Sequence, residues 1–195
     1  MTTLTELPKN LPTPTDDGGC NHLFGMTVPS IELVATNGMM VNLAEQNGYV
    51  VVYCYPMTGR PDRDLPDGWD QNPGARGCTP QSCAFKDHHH ELDMLGASVF
   101  GLSTQSSSYQ QEVAERLHLP FLLLSDESLK FSSALALPTF QIDGMVLIKR
   151  LTLIIKAGRI EKFFYPVFPP NENAEQVINW LRVNAEEIKG QPESE

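Results

Sequence analysis

Long apolar runs are missing from this 195-residue chain: no stretch approaches the ~18 residues that a membrane-spanning helix needs. Basic residues are few, 14 Lys+Arg against 24 Asp+Glu. The resulting charge of −10 argues against binding DNA or an anionic membrane through a broad basic surface. The N-terminal residues MTTLTELPKNLPTPTDDGG hold neither a basic n-region nor an apolar h-region, so the expected address is the cytoplasm. No internal repeat or low-complexity block is visible, so the chain is not a repeat array. Cysteines number four, Cys20, Cys54, Cys78 and Cys83, and none forms the Cys-x-x-Cys of a thioredoxin-type active site. A chain this long without a visible signal peptide fits a disulfide-stapled secreted scaffold poorly.

What is present is an ordinary soluble composition, 41% hydrophobic and 19% charged. At ~150 residues per domain the length suits one domain with additions, large enough to bury a proper core. Residues 1–20 are rich in Thr, Pro, Asp and Gly and read as a flexible arm. Ile31, Leu33 and Ala35 then alternate with polar or small residues. Asn37-Gly38 marks a hairpin turn, and Val41 and Leu43 continue beyond it. Tyr49 to Tyr55 is a continuous apolar run, the pattern of a strand buried on both faces, and Pro56 ends it. Residues 57–74 have loop composition, with Pro61, Pro66, Pro73 and four Asp; a loop this long inside a domain is uncommon and usually functional or disordered.

A helix is predicted from about Pro80, with Phe85, His88, Leu92 and Leu95 as its apolar stripe. Val99 to Leu102 reads as a strand. Ser108 with Gln111 resembles a capping box that opens a helix carrying Val113 and Leu117. Phe121 to Leu124 reads as a strand and Glu127 to Leu135 as a short helix. Asp143-Gly144 and Ala157-Gly158 mark turns between strand patterns, Phe140 to Ile148 and Leu151 to Phe164. Asn173 caps a last helix with Val177, Ile178, Leu181 and Ile188 facing inward, and residues 190–195 read as a frayed tail. Strands alternating with helices, then a hairpin and a closing helix, predict an α/β domain with a mixed sheet and helices on both faces.

Chemistry concentrates in Ala75-Arg76-Gly77-Cys78-Thr79-Pro80-Gln81-Ser82-Cys83. Pro80 lacks an N–H and belongs in the first helical turn, which puts Cys78 at the N-terminal lip. There the macrodipole and the unpaired N–H groups favour thiolate over thiol, and Arg76 adds positive charge. A structural role for Cys78 stays open on this pattern alone. Cys54 lies in the apolar run and reads as core filler; Cys20 reads as an exposed bystander thiol. Zinc held by Cys78, Cys83 and His88-His89-His90 is disfavoured, because helical residues five apart point ~140° away from each other. His88 reads as a core histidine, His89 and His90 as solvent-facing.

The order of these features resembles the peroxiredoxins, and in particular their bacterioferritin-comigratory, or Q-type, branch. A buried strand ends in Tyr55-Pro56; Gly77-Cys78-Thr79 follows, with Cys83 five residues on; later Arg150 opens Leu151-Thr152-Leu153-Ile154-Ile155 before Gly158-Arg159-Ile160. The resemblance covers roughly residues 28–188. It implies a thioredoxin-like fold and reduction of hydroperoxides without metal or prosthetic group. Cys78 would be peroxidatic, Cys83 resolving and Arg150 the active-site arginine. Pro56 would shield a pocket that Gly77 and Thr79 share. An intrachain disulfide would be restored by thioredoxin or glutaredoxin.

Three departures accompany it. Ala75 stands where the family usually has Thr or Ser, so that hydroxyl is missing or supplied elsewhere, as by Thr79. The 57–74 segment intervenes between proline and cysteine. Pro138 to Gly144 also imitates the strand after the arginine, an alignment that would put Leu137 at the arginine position; Arg150 is preferred because it supplies a cation, and residues 135–149 then become a second insertion. The expected organisation is an arm over 1–20, one domain over 21–189 and a tail over 190–195. The rival from another class is a non-enzymatic thiol redox sensor on the same fold, separated from an enzyme by turnover.

Overall fold

The structure, a computed structural model, describes residues 7–189. Strand β1 (Glu32–Ala35) turns through Asn37-Gly38 into β2 (Met40–Asn42) and leads to β3 (Tyr49–Cys54), buried at all six positions. The 57–74 segment holds one short 3-10 turn, Trp69–Gln71. Beyond it come α1 (Cys78–Asp87), α2 (His89–Met94), β4 (Ala97–Ser103) and α3 (Ser107–Leu117). Strand β5 (Leu122–Ser125) and α4 (Lys130–Ala134) precede the hairpin β6 (Thr139–Ile142) and β7 (Met145–Ile148). Strands β8 (Leu151–Lys156) and β9 (Arg159–Phe164) and the closing helix α5 (Asn173–Lys189) complete the chain. Among the described residues no helix is long and apolar enough to cross a membrane.

Seven strands form one mixed sheet in the order β2-β1-β5-β4-β3-β8-β9, with β4 parallel to β3 and β5 and all other neighbours antiparallel. The hairpin β6–β7 stands apart as its own two-stranded sheet. Both central residues of its turn, Asp143 (φ 49°) and Gly144 (φ 74°), are left-handed, as in the turns that match the twist of flanking strands. Pleating of β3 divides the core. Val50, Val52 and Cys54 pack with Leu102, Leu124, Leu153 and Phe131 of α4. Val51, Tyr53 and Tyr55 pack on the other face with Phe85, Leu92, Val113 and Leu181 from α1, α2, α3 and α5.

Several local expectations change. Residues 7–20 form no regular element, yet they are held: Asp17 accepts from Lys149 Nζ at 2.7 Å and from Tyr165 Oη at 2.8 Å. Cys20 is not an exposed bystander. It is fully buried in the core that contains Cys54, and burial pushes its thiol up to about 12. The predicted 80–95 helix is broken at His88 (φ −97°, ψ 7°), so His88 leaves the apolar stripe and pairs its Nδ1 with Glu91 at 3.1 Å.

Ser106, not Ser108, caps α3, accepting from the Tyr109 N–H at 3.3 Å. The short helix starts only at Lys130, because the Asp126 carboxylate accepts the N–H groups of Phe131 (3.0 Å) and Ser132 (2.8 Å). Asn173 is the first residue of α5 rather than a cap before it, and its side chain faces other partners. The side chain of Ile188 and residues 1–6 and 190–195 lie outside what the structure describes.

Candidate active site

Gly77 has φ +104° and is walled by Pro170 and Leu7; a Cβ there would lie 2.8 Å from Leu7 Cδ2 and closer still to Pro170. Only glycine fits such a left-handed, crowded corner without strain. The corner turns the chain into α1 with Cys78 as its first residue and Pro80 in the first turn, where a missing N–H costs nothing.

Arg150 reaches this helix start from the residue just before β8. The β3–β8 register pairs Cys54 with Leu151, so Arg150 sits just beyond the C-terminal end of β3. Its side chain is buried. Nη2 approaches Cys78 Sγ, Ala75 O and Arg76 O, each at 3.1 Å, and Nη1 donates to Gln81 Oε1. Nε has no partner. A guanidinium, its hydrogen bond and the first turn of a helix thus converge on one sulfur. Leu137, from the competing alignment, lies in the apolar core instead.

Cys78 is only 3% exposed and lies on a narrow cleft with Gly77, Thr79, Arg76, Met57, Gly59, Leu65 and Trp69. Leu65, Trp69 and Arg76 also line a neighbouring outer cavity of about 380 Å³, so they form the wall between open space and the sulfur. The 57–74 segment is therefore packed against the site: buried Trp69 clusters with Met57, Ala75 and Leu147 and lies 6.3 Å from the Phe140 ring of the β6–β7 hairpin. Ala75 directs its methyl into this cluster and its carbonyl to Arg150. The hydroxyl on the cleft belongs to Thr79, which is buried there. Pro56 is buried but does not line the cleft; its neighbours Met57 and Gly59 do. The Arg76 charge is turned toward Asp70 (Nη1 to Oδ1, 3.2 Å), and its Nη2 has no partner among the described residues.

Cys83 is half-buried on the same helix, and burial, with Asp87 second, pushes its thiol up. Four functional candidates escaped the sequence reading: Trp69, Gln81, Thr152 and Asn173. A tryptophan inside a polar, proline-rich loop was the available signal for the first, since so large an apolar side chain is seldom left in water. Gln81 lies one helical turn beyond Cys78, on the same side.

The Redoxin family profile matches residues 24–178. Peroxiredoxin Bcp of Bacillus subtilis is 32% identical over 144 residues, 71% of this chain and 82% of that one. The chloroplastic peroxiredoxin Q of Gentiana triflora is 28% identical over 185 residues, 92% of this chain and 78% of that one. The crystal structure of peroxidoxin BcpB from Mycobacterium tuberculosis superposes with a TM-score of 0.68 at 25% identity, over 82% of this chain and 96% of that one. Xanthomonas campestris peroxiredoxin Q shares the fold, with a TM-score of 0.63 at 22% identity over 80% and 91% of the two chains. Fold, family profile and sequence identity agree, and the chain belongs to the peroxiredoxins of the Q/Bcp branch, thiol peroxidases with a thioredoxin-like fold.

Proposed function

We propose that Cys78 is the peroxidatic cysteine, Cys83 its resolving partner and Arg150 the arginine that holds the reacting sulfur, with hydrogen peroxide and organic hydroperoxides as substrates. The observation that carries this reading is the 3.1 Å approach of Arg150 Nη2 to Cys78 Sγ at the start of a buried helix. The Cys78 thiolate attacks the terminal peroxide oxygen, forming an S–O bond as the O–O bond breaks. Cys78 is left as sulfenic acid, and the departing alkoxide or hydroxide takes up a proton to leave as alcohol or water. Arg150 and the free N–H groups of the first helical turn stabilise the charge that moves along the O–O bond. The Cys83 sulfur then attacks the sulfenic sulfur and expels water, giving a disulfide within the chain.

A dithiol reductant, thioredoxin or glutaredoxin, restores both thiols by exchange. Four unpaired thiols suit a reducing compartment such as the cytoplasm. Residues 21–189 form the catalytic domain in this reading, with 57–74 and 135–149 as insertions that pack on each other beside the site. The test is peroxide consumption with a thioredoxin or glutaredoxin system. Cys78→Ser should abolish turnover, since a hydroxyl is un-ionised at neutral pH. A variant that keeps most of its turnover overturns the assignment. Many peroxide equivalents consumed per wild-type chain separate the enzyme from a sensor that reacts once.

A further inference from the structure

Asn173 belongs to the residue types that cap helices, and it stands at the start of α5, yet its side-chain oxygen is used elsewhere. Asn173 Oδ1 accepts from Gln81 Nε2 at 2.9 Å and from Thr152 Oγ1 at 2.6 Å. Gln81, Thr152 and Asn173 are all fully buried. The chain of bonds has a forced direction. Arg150 has donors only, so the Gln81 amide must present its oxygen to Nη1, which leaves its nitrogen facing Asn173. Asn173 must then present oxygen, and the Thr152 hydroxyl donates to the same atom. Three elements, α1, β8 and α5, thus meet on one carbonyl oxygen, two bonds away from the guanidinium on Cys78.

Apart from the Cys78 sulfur, every acceptor in this arrangement is neutral. Among the described residues Arg150 makes no ion pair with a carboxylate; its partners are the Gln81 amide, two backbone carbonyls and the Cys78 sulfur. The other charged or titratable groups near Cys78 are Arg76, engaged by Asp70, the Cys83 thiol, which burial pushes up, and the Tyr53 and Tyr55 phenols, which burial pushes far up and keeps neutral. Glu172 and Glu175, which flank Asn173 in sequence, are exposed to water. In the proposed cycle the Cys78 sulfur is therefore the one partner of the buried guanidinium, among the described residues, that becomes anionic.

We infer that Asn173 is a positioning residue for Cys78: with Thr152 it fixes the Gln81 amide with its oxygen on Arg150, and it does so without a carboxylate that would compete with the thiolate. The inference rests on Cys78 being peroxidatic. Asn173→Asp keeps the acceptor positions and adds one buried negative charge. The midpoint of the pH profile for Cys78, read by alkylation and peptide mapping and by the rate of oxidation with hydrogen peroxide, should move up by about one pH unit, with rates converging at higher pH. Thr152→Val removes only the hydroxyl and should slow oxidation at neutral pH about fivefold, the scale of one buried hydrogen bond; Thr152→Ser should restore it. An Asn173→Asp midpoint at the wild-type pH, with wild-type helix content, overturns the inference, and so does a wild-type oxidation rate in Thr152→Val. Failure of the underlying assignment shows separately, as turnover surviving in Cys78→Ser.

Discussion

Oxidising Cys78 and Cys83 to a disulfide should unwind the first turn of α1. Both residues lie in one regular helix, where five residues give ~7.5 Å of rise and the ~140° rotation adds sideways displacement at a radius of ~2.3 Å. Their Cα atoms then stand roughly 8.7 Å apart, beyond the ~7 Å that a disulfide spans without backbone movement. Closing the gap sacrifices the bond from the Gln81 N–H to Gly77 O (3.0 Å) and the equivalent bonds of Ser82 and Cys83. At ~1 kcal/mol each, three lost bonds correspond to about 3 kcal/mol of local protection, or roughly a hundredfold in exchange rate. Phe85 limits the spread: it is fully buried and stacks on Tyr53 with ring centroids 4.6 Å apart.

Amide exchange followed by mass spectrometry, with the Cys78–Cys83 linkage verified by non-reducing peptide mapping, should show faster exchange over 78–84 in the disulfide form and little change beyond Phe85. Equal exchange in the two forms would refute the geometry, because a disulfide would then fit without local unfolding.

Arg150→Met should slow oxidation of Cys78 and shift its pH profile upward, since the methionine keeps bulk but removes the cation; an unmoved profile would make Arg150 structural. Cys83→Ser should let sulfenic acid accumulate at Cys78, visible by trapping with dimedone, whereas rapid decay of the dimedone-reactive species before trapping would point to another resolving thiol. Trp69→Ala should cost about 3–5 kcal/mol in the insert cluster and raise the rate with bulky hydroperoxides relative to hydrogen peroxide; an unchanged ratio would mean that Trp69 does not gate the cleft. Asp17 is held down to about 2, chiefly by the hydrogen bond from Lys149 and then by that from Tyr165. A depressed carboxyl stabilises above its unfolded pKa, so this tether should be intact above about pH 4 and lost as pH falls toward 2. Because both partners are solvent-exposed the effect should stay under about 1 kcal/mol, and an acid titration of Asp17→Asn that overlays wild type would dismiss it.

Periodicity made the sheet legible. An unbroken apolar run can be satisfied only at the middle of a covered sheet, and β3 lies there between β4 and β8. The Asp143-Gly144 and Ala157-Gly158 turns were equally plain, since both central positions need left-handed backbone. What stayed hidden depends on partners distant in sequence. Cys20 looks like loop, and its burial comes from a core assembled by β3 and α4. His88 fits a helical stripe by spacing, but the backbone turns there and carries it out of register. Ser108 and Gln111 satisfy a capping pattern that Ser106 pre-empts two residues earlier. Asn173 was recognised as a helix-start residue, while its actual partners, Gln81 and Thr152, lie 92 and 21 residues away. The 57–74 segment shows the same limit: its composition says loop, and only the Trp69 cluster shows that it is packed against the site.

In the proposed cycle, one short helix has to meet two opposed demands. Holding the sulfur as a thiolate needs the first turn of α1 fixed, with Arg150 on Cys78 and the Gln81–Asn173–Thr152 bonds behind it. Resolution needs the same turn to open. The opening also pulls Gln81 away from Arg150 and Asn173, so the support of the thiolate is dismantled after the thiolate has been consumed as sulfenic acid, when nothing anionic remains to be held. The break at His88 confines the disturbance. Helix α2 keeps its own anchor, the fully buried Leu92, and Glu91 accepts from Arg182 of α5. Only α1 up to Phe85 has to change, and the sheet beneath it keeps its pairing. On reduction, the features that rebuild the turn are all still in place: the left-handed corner at Gly77, the fixed φ of Pro80 in the first turn and the buried Asn173 oxygen for the Gln81 amide.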